Sequence, residues 1–343
     1  YTEHTFVEKD FALKHNEDEI SVDTNFAAQN FWKEALIRFF HKRSAVLGLV
    51  LIVVIVLLAV LGPGMNSYTY SGQDLSQKNF APRVPGIEQF GILDGSEKIS
   101  TTTGTKVTNA YQEKDKPEVY YWFGSDLYGR DIWTRTWEGA RVSLIIAVAA
   151  AIIDMVIGMS YGLISGYFGG RVDMIMQRFL EVANGIPRLV IVTLLLLVLQ
   201  PGMVTIIFAL MLTEWVGMSR IARAEMLKLK DQEFVLASRT LGAGSFFIIF
   251  KEVLPNIIGP IITQVMFSIP TAIFTEAFLS FVGLGIPVPQ CSLGSLISEL
   301  YNSFTTHPYQ IIPPIVVMSL LMLSFNLVAD GLREALDPKM KSM

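Results

Sequence analysis

Polar and apolar positions separate along this chain on the scale of whole segments. Ala45 to Gly62 is an unbroken apolar run. As a helix rising ~1.5 Å per residue it reaches about 27 Å, the thickness of a bilayer's hydrocarbon core. It therefore predicts a transmembrane helix. The same criterion predicts five more spans, at about Val142–Ser165, Phe179–Gln200, Met203–Met218, Asn256–Leu284 and Ile311–Ala329. Glu181, Asn184 and Arg188 interrupt the third before the clean run LVIVTLLLLVLQ, so its start is weakly marked. The fold class that follows is an all-α integral membrane protein with six transmembrane helices and a long loop domain after the first.

Lys and Arg in short loops set orientation, because such loops stay on the cytoplasmic side. Lys33, Arg38, Lys42 and Arg43 precede the first span, Arg171 and Arg178 follow the second, and Arg220, Arg223, Lys228, Lys230, Arg239 and Lys251 lie between the fourth and fifth. The connection at Pro201 and the stretch Gly285–Gln310 carry no Lys or Arg. Both termini are expected inside. The basic residues of 63–141 do not decide its side, since long loops translocate largely regardless of charge. The expected organisation is an N-terminal segment at 1–44, the first span at 45–62, an extracytoplasmic domain at 63–141, a five-helix core at 142–330 with a cytoplasmic loop at 219–252, and a tail at 331–343.

Composition narrows the function classes. Hydrophobic residues make up 51% of the chain and charged residues 17%, which excludes an ordinary soluble domain. The net charge of −4 gives no basic patch for nucleic acid. Cys291 is the single cysteine, so it has no disulfide or metal partner of its own kind. The first apolar run starts at Ala45 and is too long for the h-region of a cleaved leader. There is no G-x-x-x-x-G-K-[ST] phosphate loop and no H-E-x-x-H metal signature, so no catalytic, metal or nucleotide site is expected in this chain.

Two stretches outside the spans are amphipathic. FAAQNFWKEALIRFFHKR, Phe26 to Arg43, interleaves aromatic and aliphatic residues with basic ones. It predicts a helix lying in the membrane interface, the other reading being a solvated helix. DQEFVLASRTLGAGSFFIIFKEVLPN, Asp231 to Asn256, predicts two short helices on the cytoplasmic surface. Ala237, Ser238 and Gly242 are small enough for close backbone approach, Gly242 and Gly244 punctuate, Ser245 can cap the second helix, and Pro255 marks the start of the fifth span. Such an element suits docking of another protein; packing beneath its own bundle is the alternative.

The spacing of Ala237, Ser238, Gly242, Leu254 and Pro255 resembles the "EAA" loop of ABC importer permeases, Glu-Ala-Ala, three residues, Gly, then Leu-Pro. Three further stretches resemble the C-type permease of the peptide-transport branch: FGSDLYGRDIWTRTWEGARVSL (Phe123–Leu144), EAFLSFVGLGIPVPQCSLG (Glu276–Gly294) and NLVADGLREALDPKM (Asn326–Met340). The resemblance covers nearly the whole chain, least well Asn66–Glu118, which looks expanded. It implies that Leu236, Ala237, Ser238, Gly242, Leu254 and Pro255 form the coupling element that docks on an ATPase subunit. Leu236 stands in the slot of the motif's glutamate and Glu252 where isoleucine is usual, so one polar contact does not carry over.

The resemblance further implies a B-type permease partner, two cytoplasmic ATPases carrying ATP and Mg, and an extracytoplasmic peptide-binding protein. Cofactors are expected on those partners and not in this chain, which would sit among the lipids of a bacterial cell membrane. The cargo implied is peptide, with oligopeptides favoured over dipeptides, nickel complexes or another small solute. Charges inside the spans are candidates for a pathway. Asp154 and Arg188 are the one pair of opposite sign that could meet there; a structural bridge, a substrate-pathway role and a cytoplasm-facing Arg188 are all open. Glu276 lies within the fifth span and suits either a pathway or a neighbouring helix, and Glu214 is expected to pair with a loop arginine. Coupling-ion carboxylates such as Glu276 and Asp154 would also suit a secondary transporter, but no inverted repeat is evident.

Overall fold

The structure is a computed structural model describing residues 31–101 and 104–336, without the side chains of 31, 99–101, 104–106 and 188. Residues 26–30 of the amphipathic stretch and 337–343 of the tail lie outside the described residues. Helix α1 (Phe31–His41) meets α2 (Arg43–Leu61) at Lys42, whose extended backbone (φ −82°, ψ 102°) turns the chain into the first span.

Among the described residues, five helical runs are long and apolar enough to cross a membrane: Arg43–Gly64, Ile132–Phe168, Met203–Leu229, Ser245–Leu284 and Pro308–Leu336. The third expected span is a bent pair, Gly170–Gly185 and Leu189–Val198, turned by 80°. The bend has a local cause. Pro187 lacks an N–H, and its ring holds Ile186 in extended backbone (φ −82°, ψ 123°).

Several expected boundaries need correction. The second helix begins at Ile132, so 132–141 belongs to a span's helix and not to the external segment. Thr134, Arg135 and Trp137 there are buried, and internal partners let the helix continue where an apolar count stops. Arg171 and Arg178 stand on a helix, α6 (Gly170–Gly185), and Arg220, Arg223 and Lys228 on α9 (Trp215–Leu229). The second short surface helix does not exist separately. Ser245–Phe247 runs through a π-helical segment, Ile248–Val253, into the fifth-span helix Leu254–Leu279. The wide turn precedes Pro255, whose ring would clash with the carbonyl of Lys251 in a regular α-turn.

Helix contacts are set by small residues. The second span consists of α4 (Ile132–Ile153), a π-helical segment (Asp154–Gly158) and α5 (Met159–Phe168). Gly158, Gly162 and Gly166 recur every fourth residue and face α9; a Cβ at Gly158 would lie 2.6 Å from the Trp215 carbonyl oxygen. A Cβ at Gly48 would lie 2.8 Å from the Ser324 carbonyl oxygen, so the first span lies directly on α14 (Ile312–Leu336). Without a hydrophobic drive between helices in lipid, such close backbone approach supplies the packing.

The segment between the first two spans is a small packed module. Strands β1 (Ser96–Thr101) and β2 (Gly104–Asn109) form an antiparallel hairpin pairing Ser96 with Asn109, the one sheet among the described residues. Phe80, Tyr111 and Tyr121 are buried together. The Tyr111 hydroxyl donates to the Ala81 carbonyl at 2.8 Å, and burial pushes the Tyr111 and Tyr121 phenols up.

Candidate functional site

Between the fourth and fifth spans the chain makes one free-standing helix, Glu233–Thr240. Its N-terminus is held by the Gln232 carbonyl, which accepts from the amides of Val235 and Leu236 at 3.0 Å. A single side chain, Val235, is fully buried, in a cluster with Met218, Ala222, Met226, Ile248 and Val253. Arg239 lies over the Tyr167 ring at 5.4 Å. Those contacts fix the helix beneath the bundle and leave its outer face bare.

The helix ends in a Schellman turn. The Ala243 amide donates to the Ser238 carbonyl and the Gly242 amide to the Arg239 carbonyl, both at 3.0 Å. Gly242 takes φ +84°, and nothing lies within 4 Å of where its Cβ would be. An L side chain is strained there, though space is available. Around this end Leu241 is 88% exposed, Phe246 65% and Leu236 44%. Exposed apolar residues gathered around one turn make a surface suited to a protein partner.

Four of the six expected coupling residues gather at this end. Leu236, Ala237 and Gly242 are exposed and Ser238 is half-buried. Leu254 instead packs against the cluster that holds Val235. Pro255 opens onto a separate cavity of about 870 Å³ with Glu225, Asn256, Gln264 and Arg333 in its walls. The EAA spacing thus joins a presented helix to the brace behind it. Leu241 and Phe246, the most exposed apolar side chains here, fall at unspecified positions of that motif. Their signal in the sequence is apolarity outside any span.

The intramembrane charges have different surroundings. Glu276 is fully buried. Ser280 and Ser292 donate to its Oε1 at 2.7 and 2.5 Å, and Ser143 donates to Oε2 at 3.2 Å. Ser292 also caps α13 (Leu293–Tyr301) by accepting from the Ser295 amide at 3.0 Å. Glu276 therefore ties the second span, the fifth span and the start of α13 at one point. Asp154 is buried in the π-helical segment of the second span, and its Oδ1 has no hydrogen-bond partner among the described residues. The Arg188 side chain lies outside the described residues, and so does the expected pair with Asp154. Glu214 is half-buried and accepts from Thr275 at 3.4 Å.

A buried ion network between 126–135 and α13 was not anticipated. Arg130 donates to Asp126 at 2.6 Å and to Glu299 at 2.7 Å. Arg135, with no exposed surface, reaches Asp126 at 3.0 Å and both Glu299 oxygens at 3.0 and 3.2 Å. Three members fall in the quoted stretch Phe123–Leu144, whereas Glu299 comes from α13, far along the chain. Only tertiary structure brings it in. Cys291 is buried beside Arg135, and burial pushes its thiol up to about 11.

Known proteins give this arrangement its context. Residues 158–342 match the family described as binding-protein-dependent transport system inner membrane component. Residues 30–82 match the N-terminal TM domain of oligopeptide transport permease C. The oligopeptide transport system permease protein OppC of Bacillus subtilis (strain 168) is 40% identical over 312 residues, 91% of each chain. The dipeptide transport system permease protein DppC of the same strain is 38% identical over 332 residues, 96% of this chain and 93% of the relative. One solved structure, an inward-facing MetNI methionine ABC transporter, superposes with a TM-score of 0.50 at 16% identity, over 58% of this chain and 94% of that one; it shares the fold. ATP hydrolysis in this family belongs to separate subunits. The chain belongs to the binding-protein-dependent transport permeases, as the C-type membrane subunit of a peptide-importing ABC transporter of the oligopeptide/dipeptide branch.

Proposed function

We propose that Glu233–Thr240 and the Leu241–Gly242 turn are the surface through which ATP-driven motion enters the permease. The supporting observation is a helix anchored by one buried side chain, Val235, that leaves Leu236, Leu241 and Phe246 bare beside a left-handed glycine. A cytoplasmic ATPase subunit covers that face, with a second ATPase on a B-type permease that completes the path. ATP and Mg bind on those subunits. Closure of the ATPases pushes α10 (Glu233–Thr240), and the Val235 cluster passes the push to α9 and to the fifth-span helix. Both termini of the chain are cytoplasmic, in a bacterial cell membrane.

An extracytoplasmic binding protein delivers the cargo, oligopeptides before dipeptides, to the opposite face. The hairpin module at 63–121 serves that receptor. Asp154, Arg188 and Glu276 are the candidate pathway charges, and the three hydroxyls on Glu276 favour a structural part for it. The test of the reading is removal of part of 66–118 in the assembled transporter. Peptide capture from the binding protein is expected to weaken while the ATPases stay attached; loss of the ATPases from an inserted permease would refute the division of labour.

A further inference from the structure

Helix α1 does not lie flush on the bundle. Ala35 and Phe39 are buried, Phe39 against Gly331 on α14, where a Cβ would meet Phe39 and Ala45. The opposite face is bare: Trp32 is 47% exposed, Leu36 58%, Ile37 49% and Phe40 56%. Because the chain turns at Lys42, a notch of about 490 Å³ opens between the end of α1 and the last turns of α14. Its wall is apolar at Ile37 and Gly331, and its rim carries Arg38, His41, Lys42 and Glu334.

Charge around the notch is biased to positive. Of the charged side chains that line it, Arg38 and Lys42 stand against the single carboxylate Glu334. Arg38 bridges Glu34 at 3.1 Å and Lys42 bridges Glu334, but these are partly exposed pairs, with side chains 33%/20% and 30%/51% exposed. Exposed ion pairs contribute little, so a stronger anion can take either cation. A phosphodiester is such an anion. The notch also opens beside bare aromatic and aliphatic side chains at the head of a membrane span, the level where phospholipid headgroups lie.

We propose that this notch binds the headgroup of one anionic phospholipid, with Arg38 and Lys42 on the phosphate and Ile37 and Phe40 against the acyl region. The bound lipid would fasten α1 to α14 across the Lys42 turn. An apolar wall with a cationic rim selects a lipid over a soluble anion, and the excess positive charge selects an anionic headgroup over a zwitterionic one.

The intact purified transporter, stripped of lipid, tests this by native mass spectrometry with phosphatidylglycerol or phosphatidylcholine of the same chains. About tenfold stronger retention of phosphatidylglycerol is expected. Arg38→Gln combined with Lys42→Gln abolishes the preference, Arg38→Gln alone lowers it with the Lys42–Glu334 pair intact, and Arg178→Gln on exposed α6 leaves it unchanged. Equal retention of the two lipids overturns the proposal. So does a preference surviving in the double variant or weakened by Arg178→Gln, or displacement of the lipid by millimolar inorganic phosphate.

Discussion

Val235 and Leu241 stand on neighbouring turns and have opposite environments, one fully buried and the other 88% exposed. Val235→Asp places a charge in an apolar cluster and is expected to lower folded, inserted protein. Leu241→Asp leaves the fold alone and acts only where a partner covers it; thermal stability measured beside ATPase co-purification separates the two. In the buried ion network, Arg135→Ala removes one of the two arginines on the Asp126 carboxylate and leaves it to Arg130 alone. Breaking a buried pair costs about 3–5 kcal/mol, and a clear fall in the melting temperature of the purified transporter is expected. Glu299→Gln costs less, since that side chain is 25% exposed and keeps its hydrogen-bonding reach. Cys291 titrates at about 11 instead of 9.0. The neutral thiol therefore favours the fold fully below pH 9, and the contribution is lost as pH rises toward 11. In the folded transporter at pH 8 it is expected to resist an impermeant maleimide and to react after denaturation; labelling of the native protein would show that the loop 285–292 is open. The thiol accordingly cannot report which side of the membrane it faces, despite its place in a loop without Lys or Arg.

At the scale of elements, the apolar pattern located the five long helical runs and the bent pair at the third position, because lipid demands uninterrupted apolar length. It misplaced their ends because helices continue wherever polar side chains find internal partners. Thr134 and Arg135 extend α4 in this way, and Arg223, bonded to Asp173 at 2.5–2.6 Å, joins α9 to α6. The short helix Glu233–Thr240 was legible from small residues and a glycine at fixed spacing, and its Schellman end supplies the backbone reason for Gly242. Glu299 was not legible, since nothing in α13 itself announces two buried arginines across the fold. The Pro187 break was half legible, as proline and charge in an apolar run. In α10, Leu236 occupies an exposed position, so Leu236→Glu, the residue of the EAA pattern, is expected to leave insertion and peptide uptake unchanged. A loss of uptake would mean that the bare leucine is itself a required contact.

For the whole molecule, the central claim is directional: motion enters at the α10 turn and the receptor meets the other face. Cysteines at positions 238 and 305 in a Cys291→Ser background test the sidedness. In intact cells, Thr305→Cys is expected to react with an impermeant thiol reagent and Ser238→Cys is not; the reverse pattern would invert the topology. The most direct measurement is made on Gly242→Asp in the assembled transporter. Aspartate there adds local strain at φ +84° outside the spans and places a charge in an interface that must desolvate, worth on the order of 2–5 kcal/mol. The permease should insert at normal levels while ATPase co-purification and ATP-driven peptide uptake fall by a factor of tens to thousands. Full uptake by Gly242→Asp at normal expression would contradict the coupling role of this turn.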